Sequence, residues 1–214
     1  LAHTRYLIRG FRMLEFTDAT YEFFPAKPNS LVLWLGRLFN RRRNLPGPRH
    51  LISDVEVRGN DRLDEARRLG GNRWFFLVNH STHSDAQILA EAQRIVGVRS
   101  CYMAAYDVFL RSKLQAWVMQ HAGCFSVNRD ASDSRSMREA IRILLENRYG
   151  LTLFPEGNVY LMNDRVTPFL DGAAFIGMKA QKQLGKDAPI FVIPTAIKAT
   201  HLTDQRESIR TKLA

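Results

Sequence analysis

The stretch Asn79–His80–Ser81–Thr82–His83–Ser84–Asp85 puts an amide, two imidazoles, three hydroxyls and a carboxylate into seven residues, directly after the apolar run WFFLV. Asn, Ser and Asp are ordinary punctuation after a strand; the imidazoles need another reason. An imidazole with an ordinary pKa of about 6.5 is mostly neutral near pH 7 and accepts a proton. A carboxylate on its second ring nitrogen fixes the tautomer and stabilises the imidazolium as it forms. If His80 ends a strand and Asp85 opens a helix, the turn between them folds the carboxylate back onto the ring. That is a general-base pair, although a loop His near a loop Asp is by itself more often structural or solvated. His80, His83 and Asp85 also allow a metal reading. Their spacing is not that of the HExxH helix, and no nearby cysteine or further histidine completes a set, so no metal is expected. His83 reads as a surface or supporting residue.

The surrounding elements are those that would carry such a turn. RWFFLVN is a continuous apolar run and reads as a strand buried on both faces; RSCYMA, CFSV, GLTL and PIFVIPTAIK read as further strands, and SDVEVRG as a short one. Helices read between them. Ile88, Leu89, Ala92, Ile95 and Val96 mark one face of the first. LRSKLQAWVMQHAG is a second, closed by Gly123. Met137, Ala140, Ile141, Leu144 and Leu145 give the clearest stripe, with capping-box spacing at Ser136–Glu139. DGAAFIGMKAQKQLG is the last. Strands alternating with helices predict an α/β domain with a mostly parallel central sheet flanked by helices. Ligands of such sheets bind at loops beyond the carboxyl ends of strands, and NHSTHSD, NRD and PEGN are loops of that kind.

Residues 1–50 have a different composition. RYLIRGFRMLEF and SLVLWLGRLFNRRR mix bulky apolar and aromatic residues with arginine. Leu31, Trp34, Leu35, Leu38 and Phe39 fall on one side of a helix, and Arg41, Arg42 and Arg43 follow. This suits a helix lying in a membrane interface, with arginines on lipid phosphates; the rival is a helix packed on the main domain. NLPGPRH reads as a break. No apolar run reaches the roughly 18–20 residues that span a bilayer. The formal charge of +10 in 214 residues, with a pI near 10.1, favours anionic partners. Nucleic acid is set aside because no recognisable binding module is present. Two cysteines in no metal or redox spacing imply no disulfide framework and fit a reducing compartment. Cys124 reads as a small apolar strand residue rather than a reactive thiol. No signal peptide is visible.

Four blocks in order resemble the glycerolipid acyltransferase family, which includes bacterial 1-acylglycerol-3-phosphate acyltransferase. NHSTHSD is similar to the family's His-four-residues-Asp block, and GCFSVNR (Gly123–Arg129) to its second. FPEG (Phe154–Gly157) is similar to the start of its third, FPEGTRS, and VIP (Val192–Pro194) to its fourth. The resemblance covers about residues 51–200. It implies an acyltransferase domain over 51–214 behind a membrane-interface segment over 1–50, peripheral to the membrane on its cytoplasmic face. It implies acyl transfer from acyl-CoA or acyl carrier protein to a lysoglycerolipid hydroxyl, with no cofactor. His80 and Asp85 would be catalytic. Arg129, Glu156, Gly157 and Asn158 would lie at the acceptor or phosphate site. The alternative role for Glu156 is a loop-capping carboxylate accepting backbone N–H bonds. The thioester oxyanion would need donors, such as backbone N–H groups near a helix start or around Gly157. Departures begin at Asn158, where Asn158–Val159–Tyr160 replaces Thr-Arg-Ser and Leu170 stands where a lysine is frequent. Two expected cations are absent. Either Arg165 compensates, or the acceptor has no terminal phosphomonoester. Members of that family usually continue past the position of Ala214.

Overall fold

The computed structural model describes residues 20–70, 73–129 and 132–202, together with 206, 210 and 211. The RYLIRGFRMLEF stretch lies outside them. In chain order the elements are α1 (Ser30–Phe39, running into a π turn at Asn40–Asn44), α2 (Asp61–Gly70), β1 (Trp74–Val78), α3 (Asp85–Ile95), β2 (Ser100–Ala105) and α4 (Tyr106–Phe109). There follow α5 (Lys113–His121), β3 (Cys124–Val127), α6 (Ser134–Glu146), β4 (Gly150–Leu153), α7 (Gly172–Leu184) and β5 (Phe191–Thr195). The five strands form one all-parallel sheet in the order β3-β2-β4-β1-β5, flanked by helices, as the alternation predicts. β1 and β4 sit side by side and are buried on both faces, which is why WFFLV is a continuous apolar run; in β4 the buried Thr152 hydroxyl is bonded to Gln93 and Ser100.

Two cores lie on opposite faces of the sheet. One joins Phe75, Phe125, Leu151 and Leu153 to Ala140, Ile143 and Leu144 of α6 and Ile176 of α7. The other joins Trp74, Phe76 and Val78 to Leu89 of α3 and to Leu63 and Ala66 of α2. The edge at β3 is covered by the chain entering α1. Ser126 N–H donates to Phe24 O at 2.9 Å, Phe24 N–H to Ser126 Oγ at 2.9 Å, and Phe24 stacks on Phe109. Ala26 and Leu45 are themselves buried, so residues 20–50 pack closely on the domain.

Several local expectations need correction. SDVEVRG is not a strand: Val55 and Val57 turn toward the protein on alternate positions, but no neighbouring strand pairs with them. α2 carries too few apolar residues for a legible stripe. Ser136 lies inside α6. Asp133 is the cap, its Oδ1 accepting from Arg135 N–H and Ser136 N–H at 3.0 Å. Glu139 instead accepts from Ala26 N–H and pairs with Arg142. Ile95 lies off the buried face of α3, where Glu91 and Gln93 are buried instead. Leu38 is half-buried while Leu31, Trp34, Leu35 and Phe39 are exposed.

Candidate active site

The β1–β4 register explains why two distant loops meet. Leu77 pairs with Leu153. Three residues further on in each strand come His80 and Glu156, so the two fall opposite each other beyond the carboxyl edge of the sheet. There Glu156 Oε1 accepts from His80 N–H at 2.7 Å. Its Oε2 accepts from Thr167 N–H at 3.1 Å and from Thr167 Oγ1–H at 2.5 Å. Tyr160 N–H donates to His80 O at 3.2 Å, so the loop after β4 holds His80 by both backbone polar groups. The Phe154 ring stacks on the imidazole with centroids 4.4 Å apart. On the other side of β1, the buried Asn79 side chain donates to Ile197 O at 3.0 Å and accepts from Ile197 N–H at 2.6 Å, locking the turn to the chain beyond β5.

Within the turn, His80 Nδ1 lies 3.0 Å from Asp85 Oδ2. The Asp85 side chain is fully buried, whereas the His80 side chain remains 21% exposed. Thr82 makes burial of the carboxylate tolerable: its N–H donates to Asp85 Oδ2 at 2.8 Å and its hydroxyl to Oδ1 at 2.7 Å. Thr82 Oγ1 accepts in turn from Ser84 N–H at 3.1 Å. The carboxylate reaching back to Thr82 N–H is one half of a capping box, whose sequence signature is Thr-x-x-Asp at 82–85; the other half is not made, because Asp85 N–H goes to Thr82 O at 3.3 Å. Asp85 therefore starts α3 and holds the imidazole at once. His50 reaches this helix start as well, its Nδ1 lying 2.8 Å from Ser84 Oγ. Burial, then the neighbouring Arg49, lowers its pKa.

Electrostatically, burial raises the pKa of the Glu156 carboxyl. The Thr167 hydroxyl and the N–H groups of His80 and Thr167 outweigh it, and the carboxyl ends below its ordinary range. Glu156 thus bears a charge with both oxygens engaged by the protein. Gly157 sits at φ +74°, a conformation that favours glycine, and a Cβ there would come within 2.7 Å of Leu170 Cδ1. The Gly157 N–H is already bound to Phe154 O at 3.0 Å, which removes it from the oxyanion donors expected near that glycine.

Arg129, Asn158, His83 and Arg165 are exposed. Arg129 leaves β3 and reaches the loop after β4, its Nη1 donating to Gly157 O at 3.4 Å and its Nη2 lying 3.8 Å from Asp107 Oδ1. Asn158 is exposed and its Oδ1 accepts from Val159 N–H, so it is turned onto its own backbone. Cys124 lies in β3, and burial pushes its thiol up to about 12. Sequence reasoning did not assign Thr82, Thr167, Asn79 or Phe154. The Thr82 contact was available in the capping-box spacing. The other three depend on strand register and loop return, which no local spacing reveals.

The whole arrangement is a fully buried carboxylate held against one nitrogen of a partly exposed imidazole, beyond the carboxyl edge of the sheet. No curated protein matches the chain. Residues 54–198, more than half of it, match the family model described as acyltransferase. That span includes both strands that carry the paired turns, and the chain accordingly belongs to the acyltransferase family, the glycerolipid acyltransferases, which serve acyl transfer in lipid metabolism.

Proposed function

We propose that this protein moves a fatty acyl chain from a thioester, acyl-CoA or acyl carrier protein, to a hydroxyl of a lysoglycerolipid at an anionic membrane surface. The observation that carries this reading is the contact of the fully buried Asp85 with His80 Nδ1. It leaves His80 Nε2 to remove the acceptor hydroxyl proton. The acceptor oxygen then attacks the thioester carbonyl, the tetrahedral intermediate collapses, and the thiolate leaves with a proton returned from the imidazolium. Atoms balance without a covalent acyl-enzyme and without a metal. A positioned general base is worth about 10²–10⁴-fold in rate. The exposed Arg129, with its fork toward the loop after β4, suits an acceptor phosphate, and 1-acylglycerol-3-phosphate is the first acceptor to consider.

A second acceptor reading has its own support. The loop that brackets His80 presents Leu161, Val166, Phe169 and Leu170 to solvent, and its Val159 and Leu170 stand where family members carry cations. Such a loop suits an acceptor without a terminal phosphomonoester, such as a lysophospholipid, an aminolipid or a sugar lipid. The experiment is thiol release from acyl-CoA against lysophosphatidic acid, lysophosphatidylcholine, lysophosphatidylglycerol and a lyso-aminolipid. Transfer to lysophosphatidic acid supports the first acceptor, and transfer confined to the others supports the second. A chain that binds lipid but transfers to none, from either class of thioester, is a binding module, and the proposal fails.

A further inference from the structure

An amphipathic helix at a protein surface normally turns its apolar stripe inward. α1 does the reverse. Leu31, Trp34, Leu35 and Phe39 are between 49% and 64% exposed. Leu33 meets the core, and Arg37 Nη2 turns in to donate to Val98 O at 2.8 Å. α5 repeats the pattern at its own i, i+3, i+4 spacing: Ala116 is buried, while Leu114, Trp117 and Val118 are exposed. The two helices are neighbours. Lys27 N–H and Asn29 N–H, just before α1, donate to Gln120 O and His121 O at the end of α5, each at 2.9 Å, and the helices themselves pack together.

We propose that α1 and α5 together form the face by which the protein lies on an anionic lipid bilayer, with Trp117 and Leu114 entering the headgroup zone beside Trp34 and Leu35. This deepens the membrane partner named above and rests on that reading for the kind of partner only. Charge selects the occupant. Neither Ser30–Asn44 nor Lys113–His121 contains an acidic residue, while Arg42, Arg43 and Lys113 are exposed on them. Arg41 is turned partly toward Glu91, at 3.8 Å. Exposed tryptophan and leucine flanked by cations without acids match an interface of acyl chains under phosphate headgroups.

Tryptophan emission tests this directly. The chain has three tryptophans, and Trp74 is 1% exposed in the core. Trp34→Phe therefore leaves Trp117 as the exposed reporter, and Trp117→Phe leaves Trp34. With vesicles of phosphatidylcholine and phosphatidylglycerol in equal parts, both variants show a blue shift and quenching by brominated acyl chains. Trp117→Gln and Leu114→Gln each weaken vesicle binding roughly tenfold. Arg42→Gln and Arg43→Gln each weaken it about fivefold, and less in high salt. These side chains are exposed, so unchanged thermal unfolding certifies each variant. If the wild type binds but Trp117 neither shifts nor is quenched in Trp34→Phe, α5 is not part of the face. If the wild type ignores the vesicles, the face belongs to a protein partner. Both results overturn the proposal. Vesicle binding needs no turnover, so loss of acyl transfer with binding intact strikes the catalytic reading alone.

Discussion

Glu156 offers the sharpest separation between holding the site and binding the acceptor. Its two oxygens accept three hydrogen bonds, from His80 N–H, Thr167 N–H and the Thr167 hydroxyl. Glu156→Ala leaves two backbone donors without partners in a region that is partly buried. At about 1–3 kcal/mol for each orphaned donor, the expected loss is about 4 kcal/mol. Glu156→Gln keeps a carbonyl for His80 N–H, and the Thr167 hydroxyl rotates to accept from the new amide. Only the Thr167 N–H bond is lost, which costs about 1–2 kcal/mol. Loosening of the His80 turn shows in kcat, because misplacement of a base by about 1 Å costs on the order of 10²-fold. Urea unfolding and acyl-transfer kinetics on wild type, Gln and Ala variants read both effects. The account expects a graded loss of stability, kcat falling about 10²-fold in the Ala variant, and little change in acceptor KM. Unchanged unfolding with a raised acceptor KM alone would refute the positioning role. The pH dependence carries the same signature. The folded pKa lies below the ordinary 4.5, so the stabilisation is fully present above pH 4.5 and is lost as pH falls through the folded value. Glu156→Gln removes that part of the acid sensitivity.

Other consequences follow from single contacts. Asn79→Ala removes both bonds to the Ile197 backbone and is expected to cost about 2–4 kcal/mol in urea unfolding, with a larger fall in kcat than in acceptor affinity. Gly157→Ala forces a side chain into φ +74° and against Leu170, and should lower stability by about 1–2 kcal/mol. Leu170→Ala, made in that background, relieves the clash and restores only the smaller, steric share. Thr82→Val keeps the N–H bond to Asp85 but loses both hydroxyl bonds, to Asp85 Oδ1 and from Ser84 N–H, and should cost about 2–3 kcal/mol by thermal unfolding together with a measurable fall in kcat.

The fold was legible where one physical cause dominates. β1 is buried on both faces, so its residues are uniformly apolar, and α6 carries a stripe built around the buried Ala140 and Leu144. Reading failed where pattern and pairing part company. Val55 and Val57 alternate as a strand residue would, yet an extended segment resting one face on a domain produces the same alternation without a ladder. α2 buries only Leu63 and Ala66 in the described part of its surface, too little to stand out. At the site, the local pair was readable because His80 and Asp85 meet across a single turn. The partner of Glu156 was not, because it depends on the register between two strands, and His80 and Glu156 are 76 residues apart in the chain. The α1 stripe was visible as periodicity, but periodicity does not say which way a stripe faces. Its exposure, and that of the α5 stripe beside it, is a tertiary fact.

The most direct test of the central claim follows the fate of an isotopically labelled acyl chain given as acyl-CoA with a lysoglycerolipid. Wild type, His80→Ala and Asp85→Asn would be compared by mass spectrometry of the lipid product. The account predicts a labelled diacyl lipid from the wild type, a loss of at least about 10²-fold for His80→Ala, and a marked loss for Asp85→Asn, with folding intact in both. Labelled product formed at the wild-type rate by His80→Ala would contradict it.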